Sequence, residues 1–196
     1  MRHDGPNLTN SLGNRIVPRT LLQTVTVTGP VTDVTLVLPA TPYKRFHVEI
    51  DNWGSTGDGV FGRVRAQMNG LVRLGAAEYS YHTDGYPSTT GSTHSSDNVA
   101  DSIWITRSNA GWGFGSGPDE AYSFTFEIDP GVDSTNLPKI WWRGVGISDT
   151  NIMVGYNGFG VYRGKTSLEF GRMEALQFTV SLDSIKEGEF RLYGTE

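Results

Sequence analysis

Apolar and polar residues alternate at period two through most of this chain. Val34, Leu36 and Leu38 share one face of residues 31–38, and Phe46, Val48 and Ile50 share one face of residues 43–51. Val64, Ala66 and Met68 alternate with Arg63, Arg65 and Gln67, and Tyr122, Phe124, Phe126 and Ile128 all point one way. Near the end, Phe178, Val180 and Leu182 fall on one face of residues 177–185, and Phe190 and Leu192 repeat the pattern in 188–194. This is the signature of half-buried β-strands. Residues 23–28, 79–82, 102–107, 139–145 and 159–163 read as further strands.

Turn residues punctuate these runs. Gly29-Pro30 turns the first two strands into a hairpin that Pro39 and Pro42 end. Residues 55–59 form a loop. Asn69-Gly70 suits a tight hairpin turn, because both residues accept positive φ. Lys186-Glu187-Gly188 is expected to join the last two strands, and residues 83–98 read as a long polar loop. No segment carries a full amphipathic helical stripe. Residues 168–176 come nearest, and Gly171 weakens them. Short strands with frequent turns predict an all-β antiparallel fold, a two-sheet sandwich or barrel, with no βαβ alternation.

Composition fits this reading. The 196 residues include 37% hydrophobic and 11% aromatic side chains and 25 glycines, enough for one sizeable core. Cysteine is absent, which excludes disulfides and thiolate metal sites. No signal-peptide pattern opens the chain, and no apolar run is long enough for a membrane-spanning helix. Residues 1–19 are polar and aperiodic and read as an extended N-terminal arm ahead of a sandwich over 20–196. Arg2, Arg15 and Arg19 against Asp4 put the first 20 residues at +2, so the other 176 carry −7 of the total −5. An acidic body argues against nucleic acid as partner. The basic arm suits an acidic protein surface.

The candidate chemistry is sparse. The glycines of residues 111–118 are followed by no lysine and no helix, as a phosphate cradle requires, and read as a turned loop that offers Trp112 and Phe114. His82, Asp84 and His94, with Asp97 nearby, are the set a metal ion would use, but they are neither closely spaced nor fixed on one element. No metal and no cofactor is expected. Asp51, Asp58, Asp119, Glu120, Glu127 and Asp129 read as exposed strand and loop carboxylates, and His47 as an outward strand residue. No serine-nucleophile elbow is present, and no enzyme is expected. Trp141-Trp142 is more informative. Adjacent strand residues face opposite sides, so one indole enters the core and the other meets solvent or a partner. Tyr81, Tyr86 and Trp112 are the aromatic candidates for stacking on a sugar.

The closing segment, Ile185 then Gly188, Phe190 and Leu192-Tyr193-Gly194, resembles the closing hairpin of a group of tailed-phage virion proteins with jelly-roll modules. They include head decorations, head fibres and tail adhesins. The strand at 43–51 followed by 60–70, with Arg65 and Asn69-Gly70 near its end, is similar to the early part of the same group. The resemblance implies a jelly-roll-like sandwich in a non-enzymatic virion structural protein, made in the bacterial host cytoplasm. Its arm, through Arg2, Arg15 and Arg19, would anchor it to other virion proteins of the capsid or tail. It also implies a homo-oligomer, a trimer in the first instance, with Trp141 and Trp142 at the contact. The alternative is a carbohydrate-binding adhesin that recognises host surface glycans.

Overall fold

A computed structural model describes residues 18–75, 77–89, 91–106, 113–132, 135–164 and 171–196. They form an all-β sandwich of two antiparallel sheets. The larger sheet runs in the order β1 (Thr20–Val27), β13 (Ile185–Thr195), β3 (Arg45–Ser55), β9 (Ala121–Asp129), β10 (Lys139–Ile147), β11 (Met153–Tyr162), β6 (Tyr79–Pro87) and β7 (Thr93–Ala100). The smaller runs β2 (Asp33–Val37), β12 (Ala175–Val180), β4 (Gly62–Met68) and β5 (Leu71–Val72), with β8 (Ile103–Trp104) also on β4. Among the described residues the chain changes sheet eight times, and four of these crossings, β1 to β2, β3 to β4, β8 to β9 and β12 to β13, link strands at matching places in the two layers. So β1-β13-β3-β9 faces β2-β12-β4-β8, which is jelly-roll connectivity. Strands β10, β11, β6 and β7 extend the first sheet beyond that unit.

The inward faces follow the alternation. Val34, Leu36, Phe46, Val48, Ile50, Val64, Phe124, Phe126, Phe178, Phe190 and Leu192 are all buried in one core. Trp53 lies at its centre, with ring centroids 5.0 Å from Phe114, 5.7 Å from Phe190, 5.9 Å from Phe178 and 6.1 Å from Phe124. Phe178 comes from the small sheet and Phe190 and Phe124 from the large one, so this cluster joins the two layers. Burial of each such ring contributes roughly 1.5–3 kcal/mol. Asn69 and Gly70 take φ of 51° and 73°, as the hairpin turn between β4 and β5 requires.

Several strand partners differ from expectation. Residues 23–28 and 31–38 are not a hairpin: β1 pairs with β13 and β2 with β12. The last two strands do not pair either. β12 lies between β2 and β4, and β13 between β1 and β3. The turn between them lies at residues 181–184 rather than 186–188, and Lys186 to Gly188 belong to β13, where register shifts mark bulges. Leu182 sits on that turn, 90% exposed. Period-two alternation says which face is apolar and not which strand lies alongside. The expected strand at 102–107 shrinks to Ile103–Trp104, whereas the one at 159–163 is only the end of β11. Of the weak helical stretch at 168–176, residues 168–170 lie outside the described residues, and Ala175 and Leu176 open β12.

The expected loop at 83–98 is the hairpin β6–β7. Its polar composition misled because small polar residues take inward positions and find partners there. Thr83, fully buried, donates to the Trp104 carbonyl at 2.6 Å.

The inner face of the extended sheet matches rings to glycines across the ladder. Gly146 pairs with Tyr122, Gly144 with Phe124 and with Tyr156, Gly158 with Trp142, Gly160 with Tyr81, and Gly85 with Tyr156. A ring can lie flat only over a neighbour with no side chain. A Cβ at Gly158 would fall 2.7 Å from Trp142 Cε2, and one at Gly160 would fall 2.6 Å from Ile103 Cδ1. Gly155 on the same strand points the other way, where the nearest atom to a Cβ would be 3.9 Å distant. Gly158→Ala should therefore lower stability by about 1–3 kcal/mol through overpacking. Gly155→Ala should stay within about 0.5 kcal/mol of the parent. Chemical denaturation of the two variants makes the comparison, and equal effects would refute the ring-over-glycine account.

Candidate functional site

The residues alternating with that inner face form the outer face of the large sheet, and the register sets them in rows. One row crosses β13, β3, β9, β10, β11 and β6 as Tyr193, His47, Glu127, Trp141, Phe159 and His82. The next row, two residues along each strand, reads Arg191, Glu49, Thr125, Arg143, Asn157 and Asp84, and continues to His94 on β7. The face thus has a charged half on β13, β3 and β9 and an aromatic half on β10, β11 and β6.

The charged half is internally bonded. His47 is only 6% exposed. Its Nδ1 lies 2.8 Å from Glu127 Oε1 and its Nε2 lies 3.3 Å from Glu49 Oε1. Arg19 donates to the same Glu127 oxygen at 2.8 Å. The Tyr193 hydroxyl donates to Glu49 at 3.1 Å, and burial together with that neighbouring carboxylate raises its pKa. Arg191 pairs with Asp51 and reaches Glu189 at 3.4 Å. Each of these carboxylates is held by a cation or a hydroxyl.

The aromatic half is open. Trp141 is 41% and Phe159 51% exposed. The Phe159 and His82 rings have centroids 5.7 Å apart, and His82 stacks on His94 at 6.2 Å. Arg143 donates from Nε to the Thr125 hydroxyl at 3.3 Å, and Asn157 donates to the Tyr86 hydroxyl at 3.4 Å. A groove of about 640 Å³ takes in both halves, from Arg19, His47 and Glu127 to Trp141, Arg143, Phe159, Asn157, His82 and Asp84. That size suits a small organic ligand.

The candidates read from sequence scatter. Of Trp141-Trp142, only Trp141 faces outward. Trp142 is 4% exposed and donates from its indole to the Ile105 carbonyl at 3.3 Å, so it is core and not a contact residue. Tyr81 is also core, at 4% exposed, because its position on β6 points inward. Tyr86 stands on the outer face. Arg19 meets Glu127. Trp112, Arg2 and Arg15 lie outside the described residues. His82 Nε2 and Asp84 are 3.1 Å apart, but no group of three or more His, Asp or Glu side chains among the described residues is arranged to hold a metal ion.

The described part of the glycine-rich loop, residues 113–118, is bonded from within the protein. Phe114 is fully buried. Asp58 accepts the Ser116 amide at 2.7 Å and Glu120 accepts the Gly117 amide at 2.7 Å, so the protein's own carboxylates occupy those donors. The bonds from Ser116 hold the Asp58 pKa below its usual value, while burial raises that of nearby Asp149.

Sequence reasoning missed Arg143, Asn157 and Phe159 as groove residues and took His47 for a plain outward residue. A signal for Phe159 was present: the glycines at 158 and 160 leave their own face empty and put the ring on the other. The row that joins it to Trp141 and His82 has no counterpart in sequence spacing.

Arg19 and Glu127 are half-exposed, so Arg19→Ala should cost less than about 1 kcal/mol. His47→Ala removes a buried ring from between two carboxylates and should cost more, about 1–3 kcal/mol. Thermal or urea unfolding of both variants checks the order, and an equal or larger loss from Arg19→Ala would contradict it.

Comparison with protein-family models, with curated proteins and with solved structures finds no match to this chain.

Proposed function

We propose that this chain is a non-enzymatic structural protein of a tailed-phage virion, displayed on the capsid or tail surface as a trimer and attached to a neighbouring virion protein by residues 1–19. The observation that carries the reading is where the chain enters the fold. β1 is an edge strand of a jelly-roll sandwich, and Arg19 at its root is tied to Glu127 on the outer face. A segment ahead of an edge strand can bind elsewhere while every ladder of the sandwich stays intact. The same connectivity supports the resemblance carried by Leu192-Tyr193-Gly194, since β13 lies between β1 and β3 within the jelly-roll unit. The −7 body also suits surface display more than contact with packaged nucleic acid.

A second reading, a carbohydrate-binding adhesin, has its own observation in the exposed Trp141 and Phe159 beside Arg143 and Asn157. Rings that cover the C–H faces of a sugar and short polar groups that bond its hydroxyls are what such a site needs. Many copies on one particle would strengthen a weak site by avidity.

Deleting residues 1–19 should leave a soluble folded sandwich that no longer enters the particle. Normal incorporation of the truncated chain would defeat the anchoring role. Light scattering of the full chain should report about three times 21.5 kDa; a monomer would defeat the trimer.

A further inference from the structure

We infer that the aromatic half of the outer face is a binding strip for an uncharged linear oligosaccharide, which lies across the strands from Trp141 towards His94. This deepens the glycan-binding reading by fixing the site, the direction of the chain and its charge class. The observation is a repeat. On each of three adjacent strands a flat ring is followed, two positions away on the same face, by a hydrogen-bonding side chain: Trp141 with Arg143 on β10, Phe159 with Asn157 on β11, and His82 with Asp84 on β6. The register sets the rings in one row and the polar groups in the next. His94 on β7 lies opposite Asp84 in the polar row, and its ring reaches across to stack on His82 with 22° between their planes, which ends the strip.

A ligand matching this strip must repeat a flat apolar face with hydroxyls along one edge. A chain of pyranose rings does so. Four strands span three inter-strand gaps, about 14 Å, which is the reach of a short oligosaccharide. The polar groups are already oriented, Arg143 by Thr125 and Asn157 by Tyr86, so little ordering cost remains on binding.

Charge and composition exclude the other occupants. Nucleic-acid bases stack on aromatic strips, but a phosphate backbone here would meet Glu49, Glu127 and Asp84 in the groove lining. A protein partner favours an interface centre depleted of Asp and Glu, whereas here the two exposed rings share their groove with Asp84 and Glu127. Cations and carboxylates both line the groove, which points to a neutral sugar.

The test titrates the full-length protein with neutral glucose and galactose oligosaccharides, α- and β-linked, of two to six units. Tryptophan fluorescence follows Trp141, and calorimetry gives affinity. Binding should strengthen from two units and level off once the strip is filled. Trp141→Ala and Phe159→Ala should each weaken it about tenfold, and Asn157→Ala should weaken it too. Leu182→Ala, on the exposed turn before β13, should leave it unchanged. Thermal unfolding and light scattering confirm that each variant keeps its fold and assembly. Binding that survives both ring substitutions would overturn the strip and leave the glycan-binding reading standing. No binding of any sugar by the parent protein would overturn both. Loss of assembly in Trp141→Ala would reassign the strip to a subunit interface and overturn the inference.

Discussion

The larger sheet depends on one steric device: most large rings on its inner face in the extended half have a glycine across the ladder on at least one side, whereas Tyr79 and Tyr162 face each other edge to face. Tyr122, Phe124, Trp142 and Tyr156 lie over Gly146, Gly144, Gly158 and Gly85. Without these gaps the rings would stand up from the sheet and hold the second layer away. With them, β8 approaches closely enough for Ile103 to sit against Gly160 and for Trp142 to reach the Ile105 carbonyl. Rings and glycines are therefore one packing device. It also explains how a chain with 25 glycines keeps long, regular strands, although glycine alone weakens a strand.

The same device shapes the other side. β10 and β11 carry glycine inward at 144, 146, 158 and 160, so their large side chains other than Trp142, Ile140, Val154, Tyr156 and Tyr162 are turned outward. Trp141, Arg143, Val145, Asn157 and Phe159 stand on the outer face as a result. The open groove is in this sense a by-product of how the core is filled. The jelly-roll unit next to it supplies the charged half, where His47, Glu49, Glu127 and Arg19 bond among themselves. One half of the face is thus closed by its own ion pairs, and the other leaves the Trp141 and Phe159 rings exposed.

Closure of the sandwich comes from the last two strands. β12 and β13 are adjacent in sequence but lie in opposite sheets, each between two earlier strands. Phe178 and Phe190 meet across the core at 5.7 Å, both packed on Trp53. The two contacts with Trp53 join residues more than a hundred positions apart, so the closing step is a non-local one. It leaves β1 at the sheet edge, where the N-terminal segment joins the fold.

Local alternation determined much of this protein. It identified the inward faces of β2, β3, β4, β9 and β13, the Asn69-Gly70 turn, the all-β class, and the opposite fates of Trp141 and Trp142, because side-chain direction in a strand is set by parity alone. The tertiary structure decided which strands are neighbours. It separated the apparent hairpins at both ends of the chain into two sheets, left Leu182 on an exposed turn, and made the polar stretch 83–98 a hairpin by giving Thr83 a carbonyl to bond. It also assembled the groove, since Trp141, Phe159 and His82 become one row only through pairing across β10, β11 and β6. Parity is a property of one strand and can be read along the chain; register and sheet order are relations between strands, set by how rings and glycines fit when the layers pack.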